Sequence, residues 1–374
     1  MAHGVTHSLE PTENGTRKIA NSISRPSFPH PRRVELATSV VISRIVKDEK
    51  ALEEAFTMGY HPRIETSEYT DFLTTRTRNS QLWFVNNQRL QEAILGYAAK
   101  YATIHNVSLY ALAIEGNHIQ APAHFSNGNR ALFMRDFNAS VARAVPRYCQ
   151  NYPGGNLWGR RYSQEFLPGE ADVEEYFFYT VLQPVQDGLV EKLSEYPGYN
   201  CFHDAVWGIK RRKKVVNWGA LYEARRWNRK VSVKEYTVEY VLEYKRLPGY
   251  EELSQKEYAR VMHEKLEARR VEIVRKRYES GKGFAGRHGV KSIAPGAYPR
   301  TTKRSHASSH RPRVLCVCPK RRAEALNWYF EMYFEYQEAS RRYRVEGEAM
   351  LEFPPGMYKP PLPPGSAAPV LQAA

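Results

Sequence analysis

Four side chains in two stretches of the sequence have types and spacings suited to chemistry on a phosphate. His118 and Gln120 are two residues apart in an apolar run, so on a strand both would point to one face of a sheet. Tyr179 and Gln183 are four residues apart, so on a helix their side chains would share one face. Pro184 should end that helix. An imidazole and two carboxamide oxygens suit Mg²⁺ or Mn²⁺, and a tyrosine hydroxyl can attack phosphorus. The pattern predicts a metal-dependent tyrosine nucleophile, provided that the two stretches face each other.

The strand that carries His118 is predicted by apolar runs on either side of a short turn. The turn is Glu-Gly-Asn at 115–117, and Gly and Asn are the residue types that tolerate positive φ. The stretch from Leu109 to Phe125 is therefore predicted to fold back on itself as a β-hairpin.

The elements around these stretches predict an α+β domain. Strands are expected at 69–78 and 158–166 because β-branched and aromatic residues are frequent there. Helices are expected from Asn86 or Asn87 to about His105, from about Asn129 to Tyr148, and across Tyr179. The order β-α-β-β-α-β-α suits a ferredoxin-like antiparallel sheet with helices on one face.

Three motifs in this order resemble the single-tyrosine transposases of the HUH nuclease superfamily, particularly the REP-associated tyrosine transposases. The family has Asn-His-hydrophobic-His where this chain has Asn-His-Ile-Gln at 117–120. It has Tyr-Ile-x-x-Asn-Pro-Val where this chain has Tyr-Thr-Val-Leu-Gln-Pro-Val at 179–185. The sequence Trp-Gly-Arg-Arg-Tyr at 158–162 is similar to the family's Trp-x-x-Arg-aromatic strand. The resemblance covers about 70–208 of the chain.

The resemblance implies the HUH endonuclease fold and a transposase that acts on single-stranded or hairpin (REP-like) DNA. It implies that Tyr179 is the nucleophile and joins the 5′ phosphate, leaving a free 3′ hydroxyl. It also implies that His118, Gln120 and Gln183 hold Mg²⁺ or Mn²⁺. Gln120 and Gln183 stand where the family pattern has His and Asn, and because both remain oxygen donors we expect a weaker but functional site. Two alternatives stay open: a catalytically degenerate nucleic-acid-binding protein on the same fold, and a replication or mobilisation nickase.

The charge of the chain favours a polyanionic partner. Among 374 residues, 55 Lys and Arg stand against 40 Asp and Glu, which gives a net charge of +15. A basic surface of that size favours nucleic acid over membrane. No apolar run is long enough to span a bilayer, and residues 1–7 lack the apolar core of a signal peptide, so a cytoplasmic protein is expected. The expected oligomeric state is a monomer or a homodimer.

Basic and aromatic residues that could bind DNA fall into two groups. The group near the predicted site consists of Arg76, Arg78, Trp158, Arg160, Arg161 and Tyr162. The second group lies in a run where aromatics alternate with bases: Lys210, Arg211, Arg212, Lys213, Lys214, Trp218, Tyr222, Arg225, Arg226, Trp227, Arg229 and Lys230. Basic groups neutralise phosphates and aromatic faces stack on unpaired bases, although a solvated basic linker is the alternative interpretation.

The composition also predicts how the chain is divided. The predicted segments are a flexible arm at 1–35, a lead-in segment at 36–68 with a helix at 50–56, the site domain at 69–209, a basic helical region at 210–282, a mostly helical C-terminal extension at 283–352 and a proline-rich tail at 353–374. Helices are expected at 233–246, 254–278 and 320–346, and a strand at 314–318. Cys316 and Cys318 with His306 and His310 could bind zinc, with two buried thiols as the alternative.

Overall fold

The computed structural model describes residues 62–299, 314–348 and 350–361. The predicted arm, the helix at 50–56, and His306 and His310 lie outside these ranges, as do most of the lead-in segment and the end of the tail. Among the described helices, none is both long and apolar enough to cross a bilayer.

A five-stranded antiparallel sheet forms the centre of the fold. Its strands are β1 Thr70–Arg76, β2 Val107–Leu109, β3 Ala113–Ile114, β4 His118–Phe125 and β5 Ser163–Leu167. They follow the order β2-β4-β1-β5, with β3 paired to β4 beside β2. This places the first strand and the hairpin strand at the centre, as in a ferredoxin-like sheet. The predicted α+β class is confirmed.

The described helices surround this sheet and extend beyond it. They are α1 Gln88–His105, α2 Arg130–Tyr148, α3 Glu170–Val181, α4 Gln183–Gln186, α5 Phe202–Trp207, α6 Trp218–Trp227, α7 Gln255–Glu279, α8 Gly286–Lys291 and α9 Pro319–Arg341. Asn87 caps α1 as predicted, because its side chain accepts a hydrogen bond from the Leu90 amide at 3.0 Å.

Helices cover both faces of the sheet, so the prediction that they lie on one face needs correction. Side chains alternate along β1, and Leu73 packs with residues of α1 and α2 such as Ala98 and Phe133. Phe72 points the other way, and its ring contacts Tyr179 of α3 at a centroid distance of 5.8 Å. We call these the inner face and the tyrosine face. The tyrosine face covers aromatic rings of α3, because Phe72 contacts both Tyr176 and Tyr179.

The predicted hairpin is confirmed, but its turn works differently. The Glu115 amide donates to the His118 carbonyl at 2.9 Å, which closes the turn. Neither Gly116 nor Asn117 has positive φ. Gly116 is needed for space instead, since a Cβ there would lie 2.8 Å from Leu82 Cδ2. The strand predicted at 158–166 is shorter than expected: Trp158 makes one bridge with Thr77, and regular pairing begins only at β5.

The basic region contains a two-stranded antiparallel ribbon. Its strands are β6 Arg211–Val216 and β7 Thr237–Leu242, with α6 between them. The helix predicted at 233–246 is therefore wrong: one 3-10 turn at Val233–Tyr236 leads directly into β7. The Thr and Val residues of this stretch favour extended backbone, and pairing with β6 satisfies their backbone groups. The long helix α7 matches the helix predicted at 254–278.

A second, smaller core surrounds α9. Tyr329 and Tyr333 of this helix pack with Ile64, Phe166 and Met357. The strand predicted at 314–318 is reduced to a single parallel bridge between Val314 and Phe166. Helix α9, which matches most of the helix predicted at 320–346, thus contributes aromatic residues to this core. The start of the tail joins it, because the Gly356 carbonyl accepts a hydrogen bond from the Glu65 amide at 2.9 Å.

The cysteines of this region are not buried thiols. Cys316 is half-buried and Cys318 is exposed, and both are free. Within the described ranges no group of three or more His, Cys, Asp and Glu side chains is arranged to hold a metal ion.

Candidate functional site

The register between β1 and β4 places both candidate ligands of the hairpin on the tyrosine face. His118 lies directly opposite Arg76, and Gln120 lies opposite Thr74. Paired residues of an antiparallel ladder share a face, so these side chains point toward α3 together with Phe72. His118 and Gln120 are 3% and 5% exposed. Groups this polar are seldom buried without a partner.

A short chain of hydrogen bonds fixes the tautomer of His118. The Asn117 side chain donates from Nδ2 to the Ser80 carbonyl at 3.1 Å, so its Oδ1 faces the imidazole. Nδ1 of His118 lies 2.7 Å from that oxygen, which only accepts, and therefore Nδ1 carries the proton. Nε2 is left with a lone pair, is buried, and has no hydrogen-bond partner among the described residues. Burial, reinforced by the charge of Arg76, lowers the pKa of His118 to about 3, so the ring is neutral at physiological pH.

Gln120 brings the tyrosine into the same cluster. Its side-chain amide hydrogen-bonds to the Tyr179 hydroxyl, while its Oε1 is buried and has no partner within the described part of the chain. Burial raises the pKa of Tyr179, and the charge of Asp187 raises it further; the hydrogen bond from Gln120 and the charge of Arg76 act in the opposite direction. Tyr179 is half-buried, and its hydroxyl contacts the Gln120 side chain.

Gln183 lies on a different helix than predicted. Helix α3 ends at Val181, and Leu182 turns the chain before α4 begins at Gln183. Pro184 has no amide hydrogen to donate, so the helix cannot continue through this point unbroken. Gln183 Nε2 donates to Asp187 at 3.2 Å, which turns Oε1 away from that carboxylate. This Oε1 is also buried and finds no partner among the residues described.

The three predicted ligand atoms therefore share one property. His118 Nε2, Gln120 Oε1 and Gln183 Oε1 are all buried acceptors without a hydrogen-bond donor in the described structure. Each unsatisfied buried acceptor costs about 1–3 kcal/mol of folding free energy. A cation with oxygen and imidazole preferences fits such a donor set, and Mg²⁺ and Mn²⁺ have these preferences. None of the three atoms belongs to a carboxylate, which favours weak binding.

A long-range contact from α7 holds the segment that carries Gln183. Arg277 donates to the carbonyls of Gln186 and Gly283, both at 2.9 Å, and its guanidinium lies 5.0 Å from the Phe284 ring centroid. Gly188 has a φ of +75° and approaches this guanidinium so closely that a Cβ would clash with it. The turn after α4 is thus fixed from outside the site domain.

Sequence reasoning missed Asp187 and Arg277. Asp187 follows Gln183 by four residues, a spacing at which side chains meet on a helix, so its contact had a local signal. Arg277 is 91 residues away from Gln186. No local pattern could have indicated that contact, because the folded chain alone brings the two together.

The predicted DNA-binding residues near the site divide into two kinds. Arg76, Arg78, Arg160 and Arg161 are exposed at the end of β1 and in the loop beside it. Backbone bonds join these segments, for example from the Gly159 amide to the Arg76 carbonyl at 3.1 Å.

The two aromatic residues of that group have packing roles instead. Trp158 donates from Nε1 to the Asn138 carbonyl at 3.0 Å. Tyr162 lies under the Arg63 guanidinium, 3.9 Å from its ring centroid. Their ring faces are therefore already in contact with the protein.

Five of the nine bases in the second basic group are engaged with acids. The ion pairs are Lys210–Glu243, Arg211–Asp204, Arg212–Glu239, Lys213–Glu92 and Arg226–Glu223. The Trp218 ring is covered by Arg147 of α2, with the guanidinium 3.9 Å from its centroid. Because β6 packs on α1 and α6 starts on α2, this group lies behind the inner face.

Comparison with known proteins finds a likeness to solved structures. A solved structure of a REP-associated tyrosine transposase bound to a REP hairpin aligns with a TM-score of 0.33 and 19% identity, covering 39% of this chain and 84% of that chain. No family model matches the sequence, and no curated protein matches it. At this level of similarity the likeness carries no weight for fold or function.

Proposed function

We propose that this protein is a single-tyrosine DNA endonuclease or strand transferase, of the transposase type, that acts on single-stranded or hairpin DNA with the help of a divalent metal ion. One observation carries the proposal. His118 Nε2, Gln120 Oε1 and Gln183 Oε1 are buried acceptors without donors in the described structure, and the Gln120 side chain hydrogen-bonds to the half-buried Tyr179. Gln183 bonds Asp187 and His118 pairs with Arg76, and the charges of Asp187 and Arg76 both act on the Tyr179 pKa.

In the proposed reaction Tyr179 forms the new bond. Its hydroxyl oxygen attacks the scissile phosphorus, the bond from phosphorus to the 3′ oxygen breaks, and the departing oxygen takes up a proton as a 3′ hydroxyl. The product is a 5′ phosphotyrosine, which retains the energy of a phosphodiester and can be transferred to another strand without ATP.

The surrounding side chains prepare this attack. Burial holds the pKa of Tyr179 above its ordinary value, so the hydroxyl must lose its proton as the bond forms. The amide of Gln120 donates to the tyrosine oxygen and favours its charged form. Neutral His118 keeps its proton on Nδ1 and offers Nε2 to a cation. A bound Mg²⁺ or Mn²⁺ would supply positive charge against the phosphate oxygens.

Exposed arginines can hold the DNA across the reacting group. Arg76 is opposite His118, and Arg160 is close enough for its charge to act on Arg76. Guanidinium groups bind phosphate oxygens in pairs of hydrogen bonds, so the two could align the phosphates on either side of the scissile bond.

A second candidate is a nucleic-acid-binding protein that has kept the fold without the reaction. The absence of a carboxylate among the three acceptors favours it, because Mg²⁺ sites in proteins normally include at least one. This candidate predicts DNA binding without a covalent product.

The two candidates are separated by a denaturing gel of labelled single-stranded hairpin DNA incubated with Mg²⁺ or Mn²⁺. Wild-type protein should form a protein-linked band that chelator prevents. Tyr179→Phe should abolish the band but keep DNA binding, since only one oxygen is lost. Tyr176→Phe is the matched control, because its ring lies 5.7 Å from that of Tyr179 on the same helix.

Absence of the band in wild type, across hairpins from the flanks of its own gene, would favour the binding protein. A band that persists in Tyr179→Phe would show that another residue is the nucleophile.

A further inference from the structure

The basic-aromatic run contains a surface that the catalytic proposal does not use. We call it the α6 tip and define it as the end of α6 with the loop that follows: Tyr222, Arg225, Trp227, Arg229, Lys230 and Lys234. The indole of Trp227 is 89% exposed and the ring of Tyr222 is 55% exposed. Tryptophan is usually well buried, so an indole this open at the end of a helix is unusual.

Positive charge is concentrated at the same place. Between Tyr222 and Glu235 there are five basic residues and two acidic ones. The acids are engaged: Glu223 pairs with Arg226 at 3.1 Å, and Glu235 accepts from the Ser232 amide at 3.2 Å. Within the described structure, no ion pair involves Arg225, Arg229, Lys230 or Lys234. The first part of the basic run differs, since Lys210 to Lys213 each have an acidic partner.

The tip is held in shape by its own contacts. Asn217 caps α6 by accepting from the Ala220 amide at 3.2 Å, and Leu221 is fully buried beneath the helix. At the other end, Arg225 donates to the Val231 carbonyl at 3.3 Å and braces the loop. Trp227 is therefore presented on a fixed backbone, which reduces the ordering cost of binding.

The tip and Tyr179 lie on opposite sides of the sheet. Lys213 of the ribbon bonds Glu92 of α1 at 2.7 Å, and α6 begins against Arg147 of α2. Both of these helices cover the inner face, whereas Tyr179 lies over the other face. A helix layer and a sheet separate the two surfaces, on the order of 20 Å in all. One nucleotide cannot contact both.

We infer that the α6 tip is a second nucleic-acid-binding surface, which takes an unpaired segment separate from the one at Tyr179. Trp227 and Tyr222 offer ring faces for bases, and Arg229, Lys230 and Lys234 neutralise the adjoining phosphates. An exposed indole can stack only on a base that is free of its own duplex stack, so the ligand is single-stranded. This binding stands independently of the chemistry proposed for Tyr179.

Binding is measured in the Tyr179→Phe background, so that no covalent product contributes. The probes are a fluorescein-labelled oligo-dT of about 12 nucleotides, within the range that single-strand binders cover, and a blunt duplex of equal length. Trp227→Ala should weaken oligo-dT binding by about 5- to 150-fold, as loss of one stacked base does. Duplex binding should change by less than about twofold. Arg229→Gln with Lys230→Gln should reduce the slope of log affinity against log salt by about 1.4.

The controls come from the same chain. Trp207→Ala removes another exposed indole, and Arg212→Gln removes a base that already pairs with Glu239. Both should leave oligo-dT binding within about twofold of the parent. Because Trp227 is almost fully exposed, its substitution should leave the unfolding temperature unchanged.

Unchanged oligo-dT binding in Trp227→Ala would overturn the inference. Equal losses on oligo-dT and duplex would replace it with a duplex-binding surface. Failure of wild type to form the covalent band would sink the catalytic proposal and leave these measurements unaffected.

Discussion

The two faces of the central strands bury polar groups of different kinds, an ion pair on the inner face and neutral acceptors on the tyrosine face. On the inner face, Asp71 is completely buried, and its Oδ1 accepts from Arg130 at 3.0 Å and from Gln164 at 2.7 Å. Its Oδ2, Arg130 Nε and Thr75 Oγ1 have no hydrogen-bond partner in the described structure. On the tyrosine face, His118 Nε2 and Gln120 Oε1 are buried and accept no hydrogen bond in the described structure. Both faces belong to the same pair of strands, β1 and β4, so the backbone is common to them and only the side chains differ.

The difference indicates which polar groups are structural. The buried charge of Asp71 is compensated within the fold by Arg130, although Asp71 Oδ2 has no hydrogen-bond partner in the described structure. Acceptors left open beside a tyrosine lower stability and persist where another molecule supplies the missing partner. The ion pair of the inner face therefore joins β1 to α2, and we propose that the open acceptors of the tyrosine face receive a ligand.

The largest expected change in stability comes from a substitution on the inner face. Asp71→Ala should lower the free energy of unfolding by about 3–5 kcal/mol, because it leaves Arg130 buried without its counter-charge. Burial raises the pKa of Asp71 to about 6 even though Arg130 opposes the shift, so the desolvation of this group is large. Urea unfolding of Asp71→Ala measures the loss, with the exposed Asp187→Ala as control. A loss below about 1 kcal/mol would mean that the pair does not hold α2.

The next effect is a pH dependence near the tyrosine face. Burial, with a contribution from Asp187, raises the pKa of Glu115 from 4.5 to about 8. The folded chain keeps this proton up to about pH 8 while the unfolded chain releases it near 4.5, so the folded state binds more protons in between. Unfolding free energy should therefore fall as pH rises from 5 to 8.

Glu115→Gln mimics the protonated form and should remove this decline. The gain over wild type at pH 8 is expected to be about 2–4 kcal/mol, with little difference near pH 5. Urea unfolding series at several pH values test it. Parallel curves for the two proteins would show that Glu115 is ionised in the fold at neutral pH.

A smaller change in stability, in the opposite direction from that of Asp71→Ala, is expected for a substitution at Gln120. Gln120→Met keeps the side-chain volume and removes an unsatisfied acceptor, so it should stabilise the metal-free fold by about 1 kcal/mol while preventing the covalent band. Gln164→Met is the matched control on the inner face. Since it removes a donor to Asp71, it should destabilise by about 1–3 kcal/mol. If both substitutions destabilise equally, the two faces do not differ as described.

The last prediction concerns the contact of Arg277 with the Gln186 carbonyl and its effect on the reaction rate. Arg277→Met removes the donors that hold the Gln186 carbonyl and should lower the rate of covalent-band formation by about tenfold, with a higher Mn²⁺ requirement. Hairpin affinity should stay unchanged. Arg275→Met, which removes only an exposed base paired with Glu272 and Glu279, serves as control. Equal rates in the two variants would make Arg277 a packing residue only.

Local sequence patterns predicted the central part of the fold well. The hairpin, the α1 cap at Asn87 and the extents of α1, α2 and α7 follow from spacing and capping within a few residues, and the structure agrees. The helix predicted at 233–246 was wrong because the pairing of β7 with β6 decides the conformation of this stretch. That pairing spans more than twenty residues.

The candidate site could be predicted only in part. The alternation of the strand placed His118 and Gln120 on one face, but the break at Leu182, which moves Gln183 onto its own short helix, was not anticipated. The choice of tautomer at His118 depends on Ser80 and Asn117, two turns that meet only in the folded chain. Hydrogen bonds that orient a site residue from a distant part of the chain leave no pattern in a single stretch of sequence.

The central claim is that the three open acceptors form a divalent-cation site, and Mn²⁺ binding followed by electron paramagnetic resonance tests it most directly. Titration of wild-type protein should remove one equivalent of free Mn²⁺ signal, and His118→Ala and Gln183→Leu should each weaken that binding by about tenfold or more. His124→Ala, an imidazole on the same strand, should leave it unchanged. The claim is contradicted by wild type that binds no Mn²⁺, or by His118→Ala that binds it as well as wild type does.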